Sequence, residues 1–170
     1  MHPEPIDKRE PFGYTVFCED IRHEVDGRTS HIGIFPGDIG VPAFPVLFPR
    51  IATSLYYREP TELPPVPIEL KVIYEPDDGP SFDVAGVELT LEGPGPSKPD
   101  TWRLSIVQVV MSPLILQGPG TLKVRAYPVG REGVRMGAVR IALSETIPHY
   151  KPPANPYAQP AELADAPPNP

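Results

Sequence analysis

The sequence predicts an all-β protein, an antiparallel β-sandwich of about eight strands. Three observations predict it. Twenty-seven of the 170 residues are proline, which lacks the backbone N–H and breaks helix interiors. From Met1 to Tyr150, no window of twelve residues spaces its apolar positions helically without Pro or Gly nearby. Short strand-like runs recur instead, separated by turn sequences.

Residues 1–12 hold three prolines and mixed charge, and read as a flexible arm. Strands are expected at Tyr14–Val25, Arg28–Phe35, Arg50–Tyr57 and Ile68–Tyr74. Four more are expected at Gly86–Leu91, Trp102–Met111, Gly120–Pro128 and Val134–Leu143. Between them lie turn signals such as "PGDIG", "EPDDGP", "EGPGPSKPD", "QGPG" and "GREG". The sandwich proper is thus expected over 13–143, of the immunoglobulin-like or C2-like kind.

Period-two patterning supports the strands. Leu122, Val124 and Ala126 share one face, with Lys123, Arg125 and Tyr127 opposite. Val139, Ile141 and Leu143 share a face, with Arg140 opposite. Each strand therefore has one buried and one wet side, as antiparallel sheets allow. A hairpin through "GREG" is expected to join the last two strands. The run "LSIVQVVM" is apolar on both faces except at Ser105 and Gln108, which predicts a central strand. Val41–Arg50 carries Pro42, Pro45 and Pro49, so a regular ladder is not expected there. It reads as a buried crossover with Phe44, Val46 and Phe48 at the core end, in preference to a recognition segment.

From Ser144 the composition changes. Residues 144–170 hold eight prolines and few apolar groups, too few to offset the entropy of ordering. The expectation is a tail that is disordered, polyproline II-like or partner-bound.

Composition bounds the function. The net charge is -7, with no cluster of Lys and Arg, which argues against nucleic-acid binding. The first residues lack a cationic start followed by an apolar run, so no classical signal peptide is expected. No stretch approaches eighteen uninterrupted apolar residues, so no membrane partner is expected. With a single cysteine there is no internal disulfide, and a reducing, intracellular setting is expected.

The polar residues concentrate in "FCEDIRHEVDGRTSHIGIF", Phe17–Phe35. Asp26-Gly27 is a strong hairpin signal. A two-residue turn would set His23 opposite Ser30, Arg22 opposite His31, Ile21 opposite Ile32 and Glu19 opposite Ile34. Phe17, Ile21, Val25, Ile32 and Ile34 would then form the core face. Asp20, Arg22, Glu24, Thr29 and His31 would form a wet face. Cys18 and His23 would lie on opposite faces, about 16 Å apart at ~3.3 Å per residue, too far for a nucleophile and its base. Cys18 reads as a small buried hydrophobe. One Cys without CxxC or HxxxH supplies too few ligands for zinc. Glu75, Asp77 and Asp78 read as an acidic turn rather than a calcium loop. No GxSxG, phosphate-binding glycine loop or dinucleotide fingerprint is present, and no cofactor is expected. Glu19 falls on the expected apolar face, so it should pair, lie near an edge or be displaced by a bulge. A structural ion pair is the leading reading, in which Glu19→Gln alters stability.

Tyr14–Ile51 resembles a family of small uncharacterised proteins of bacteria and tailed phages. The resemblance rests on Phe17-Cys18-Glu19-Asp20-Ile21-Arg22, Ser30-His31-Ile32-Gly33 and Pro42-Ala43-Phe44-Pro45. It covers about a quarter of the chain. It implies a cytoplasmic or phage-particle habitat rather than an activity. The leading expectation is a non-enzymatic protein-binding or assembly module. It would use sheet edges, the Asp20/Arg22/His31 surface or the tail to engage a protein partner or a second copy. The alternative is a small-molecule binder or hydrolase in which Glu19, Asp20, Arg22 and Asp38 converge in a polar pocket. A third expectation is a regulator in phage–host conflict.

Overall fold

The computed structural model describes residues 9–92 and 101–147. The expected arm falls largely outside these residues, as does the tail from residue 148 onward. The fold is a β-sandwich. One sheet has the order β2 (Thr29–Ile34), β1 (Phe12–His23), β5 (Ile51–Pro60), β8 (Trp102–Met111). The other has the order β3 (Ile39–Val41), β11 (Val134–Leu143), β10 (Gly120–Pro128), β6 (Pro67–Pro76), β7 (Phe82–Thr90). A two-stranded ladder of β4 (Val46–Phe48) and β9 (Leu114–Leu116) completes it.

Alternation built this core as the sequence implied. Ile68, Leu70, Val72 and Tyr74 of β6 are buried beside Leu122, Val124 and Ala126 of β10. Val139 and Ile141 of β11 continue the layer. Phe17, Leu55 and Tyr57 face them from the first sheet. The β10–β11 hairpin forms through the expected turn, with the Arg131 N–H donating to the Pro128 carbonyl.

Several expectations are corrected. Among the described residues eleven strands form rather than eight, because three-residue ladders need almost no sequence pattern. The segment Val41–Arg50 does pair: Val46–Phe48 ladders with β9 between its flanking prolines. Phe44, Val46 and Phe48 pack on the core as expected. β3 runs parallel to β11, so the sandwich is not purely antiparallel. β8 is an edge strand and not a central one.

The opening hairpin is also re-registered. His23 lies opposite Thr29, Arg22 opposite Ser30, Ile21 opposite His31 and Asp20 opposite Ile32. The turn is a three-residue loop, Val25-Asp26-Gly27. The Glu24 N–H donates to the Arg28 carbonyl at 2.8 Å, and Gly27 takes a left-handed φ of 80°. This is the bulged alternative to a two-residue turn, and glycine serves both. The one-residue slip moves every partner across the pleat. Val25 and Ile34 are consequently exposed rather than core residues.

Glu19 is exposed too, its side chain lying across Gly33. A Cβ on Gly33 would meet it at 2.6 Å, where the backbone already has a φ of 62°. The expected buried ion pair of Glu19 is therefore replaced by a solvated carboxylate. Glu19→Gln is expected to shift the urea unfolding free energy by less than about 0.5 kcal/mol, as for an ordinary surface change. A larger loss would restore the structural role.

Candidate functional site

Asp20, Arg22 and His31 lie close in the β1–β2 register, but the residues singled out in the sequence line no common cleft. The Asp20 carboxylate accepts from the Arg50 guanidinium at 2.6 Å and from the Ile21 N–H at 2.9 Å. Nε2 of His31 lies 2.6 Å from the Ser54 hydroxyl of β5. Arg22 is exposed near the hairpin tip. Asp38 precedes β3 on the other sheet, where its charge acts on Arg140. Clefts of about 270, 380 and 570 Å³ open on the surface, and none is lined by Glu19, Asp20, Arg22, His31 or Asp38. Asp77 of the acidic turn is held by both guanidinium nitrogens of Arg140, at 2.5 and 2.6 Å. That hydrogen-bonded ion pair lowers the Asp77 carboxyl below its usual range. Among the described residues, no three His, Cys, Asp or Glu side chains are grouped to hold a metal ion.

The hairpin instead acts as a cover. His31 reaches Ser54, and the Gln108 side chain of β8 donates to the Thr29 hydroxyl at 3.4 Å. Neither contact follows from the ladders, in which β2 touches only β1. The tip of the hairpin therefore leans over the outer face of β5 and β8. Beneath it Cys18, Ala52 and Ser54 are fully buried. The Cys18 thiol donates to the Ala52 carbonyl at 3.6 Å, and burial foremost raises its pKa. An uncharged, enclosed thiol is the inert small hydrophobe that the sequence suggested.

The other half of that face is open. Ladder registers align Phe12, Arg58 and Leu104 across it, then Tyr14, Tyr56 and Ile106. Tyr14 and Tyr56 stack with ring centroids 4.5 Å apart and planes 6° from parallel. The Arg58 guanidinium lies 5.3 Å from the Phe12 ring centroid and 4.6 Å from that of Trp102. This is a cation between two aromatic faces. Phe12, Tyr14, Leu104 and Ile106 are each 48–60% exposed. Together they make a contiguous exposed apolar face.

Edge geometry sharpens the point. β8 has ten residues, and no strand among the described residues pairs with its far side. Its outward side chains are Trp102, Leu104, Ile106, Gln108 and Val110, all uncharged. The other edges carry devices that discourage pairing. β3 is three residues long, β2 contains the kinked Gly33, and β7 bears Asp83 and Glu88. The sequence signal for this surface was present in "LSIVQVVM". It was read as two buried faces, and one of them is open.

One buried polar cluster escaped the sequence reading. Glu59 of β5 is fully buried. It accepts from Arg103 of β8 at 2.7 and 3.1 Å and from Arg131 of the β10–β11 turn at 2.7 Å. Arg103 also donates to the Leu63 carbonyl at 2.5 Å, and Arg131 to that of Pro64. The Tyr57 hydroxyl donates to Glu59 at 3.4 Å. Every carboxylate oxygen is satisfied, so the cluster is a structural clamp. Its acid lies 44 and 72 residues from its two bases, which no local motif reveals.

No family model, no curated protein and no solved structure matches the chain.

Two outcomes are expected of the clamp. Glu59→Gln removes the charge that the buried Arg103 and the half-buried Arg131 require, and should cost about 3 kcal/mol in urea unfolding. Tyr57 has its pKa pushed up to about 12, by burial first and by the Glu59 charge second. Below the unfolded value of about 10 its contribution to stability is complete, and it is lost as pH rises through the folded value. The urea midpoint should therefore fall between pH 10 and about 12, and fall less steeply in Tyr57→Phe.

Proposed function

We propose that this protein is a non-enzymatic protein-binding or assembly module. Its contact surface is the open outer face of β1, β5 and β8 together with the free edge of β8. The observation that carries this reading is β8 itself, ten residues long and uncharged on every outward position. An unpaired edge offers a row of N–H and C=O groups to an incoming strand, and alternate side chains supply the contacts. Trp102, Tyr14 and Tyr56 are the large, rigid residues that dominate such interfaces. Nucleic acid is a poor occupant: Arg58 is the one cation in the aromatic rows, on a chain of net charge -7. The resemblance of the first strands to bacterial and phage proteins fits an assembly role in that habitat.

The hydrolytic alternative draws no support from the placement of its acids. Asp20 is neutralised by Arg50, Glu19 lies in solvent and Asp38 stands beside the other sheet.

The test compares Ile106→Lys with Arg22→Glu in full-length chains. The readouts are light scattering after gel filtration and recovery of partner from lysate. Ile106→Lys is expected to keep the native circular dichroism while reducing self-association or partner recovery at least tenfold. Arg22→Glu should have little effect. Loss with Arg22→Glu alone would move the contact to the hairpin. Full retention by both would overturn the proposal.

A further inference from the structure

The chemistry of the open face points to a particular occupant, a proline-rich segment. Aromatic rings presented side by side on a rigid sheet accept the flat rings of a polyproline II helix, which reaches its partner already ordered. Here Tyr56 stacks on Tyr14, Phe12 tilts against Tyr14, and Arg58 lies between Phe12 and Trp102, so four rings run in a continuous row with one fixed positive charge in it. A matching ligand carries prolines at PxxP spacing and a carboxylate.

The chain contains one. Residues 148–170 hold eight prolines, with PxxP at Pro153–Pro156 and again at Pro167–Pro170. Glu162 and Asp165 lie just before the second motif. We infer that this segment docks on the aromatic row of its own molecule, with its acidic residues toward Arg58. The inference rests on the reading of this face as a protein-binding surface and names what fills it.

Chain length is consistent with this. β11 runs in the same direction as β1, with Met136 packed on Gly13 and Gly137 beside Thr15 and Phe17. The end of β11 at Leu143 therefore lies far from the Phe12 end of the sheet. Nine strand steps at ~3.3 Å give about 30 Å, and crossing between sheets adds about 10 Å. A polyproline II segment covers that distance in about 13 residues at ~3.1 Å each. Counted from Ile147, this brings roughly residue 160 to the row. The residues that would then lie on it include Glu162, Asp165 and the second PxxP motif.

Trp102 is the only tryptophan of the chain and belongs to the row, so it reports directly. The first measurement is acrylamide quenching of its fluorescence in the full chain. The comparison is a full-length variant with Pro160, Pro167, Pro168 and Pro170 changed to Ser. Docking predicts a quenching constant at least twofold higher in the variant, and an unchanged constant overturns it. The second measurement is energy transfer from Trp102 to a dansyl group on Asn169→Cys, with Cys18 buried and unlabelled. Docking predicts transfer that is independent of protein concentration and is lost in Tyr14→Ala. Transfer that fades on dilution would assign the occupant to a second copy and overturn docking within one molecule. A negative result in both, with the Ile106→Lys effect intact, would sink the occupant and leave the binding surface standing.

Discussion

Two nitrogens of Arg103 hold one oxygen of the fully buried Glu59, and the register of β8 and the tie between the sheets depend on that contact. A carboxylate placed in a sandwich interior is tolerated only when charge and hydrogen bonds meet it. Arg103 meets it from β8 and Arg131 from the turn between β10 and β11, so both sheets are tied at one end. The same contact sets the parity of β8. With Arg103 inward, Trp102, Leu104 and Ile106 must point outward, because successive side chains alternate. Burying the one charge of that strand leaves its outer face without any. The clamp and the uncharged outer face are two consequences of one register.

The opening hairpin divides that face. By leaning over Ala52 and Ser54 it buries the Cys18 end and leaves the Tyr14–Tyr56 end open. His31 and Asp20, attractive as functional residues, hold this cover in place through Ser54 and Arg50. Their polarity is spent on positioning. The open half has the opposite character, with apolar area, aromatic planes and a single guanidinium.

Much of the fold was legible in the sequence. The ban on helices came from proline, and the strands of the second sheet came from strict alternation, as in Leu122, Val124 and Ala126. The β3–β11 and β4–β9 ladders were not legible, because three residues carry too little pattern. The turn at Asp26-Gly27 was recognised but its length was not. Gly27 serves a two-residue and a three-residue loop alike, and the choice between them shifted every partner of β2. The site was less legible than the fold. The five residues marked for binding line none of the clefts described, while Tyr14, Tyr56, Arg58 and Trp102 come together from three strands.

By itself, then, the sequence determined the all-β class, the second sheet's core face and the lack of an internal disulfide. These follow from properties local to a few residues: a missing N–H, a period of two, a lone thiol. Only the tertiary structure decided that β8 is an edge, that Glu59 is a buried anchor and that the aromatic rows face solvent. Those outcomes depend on which strand neighbours which. Neighbourhood is set by contacts tens of residues apart, such as Glu59 with Arg131, and no short stretch of chain encodes it.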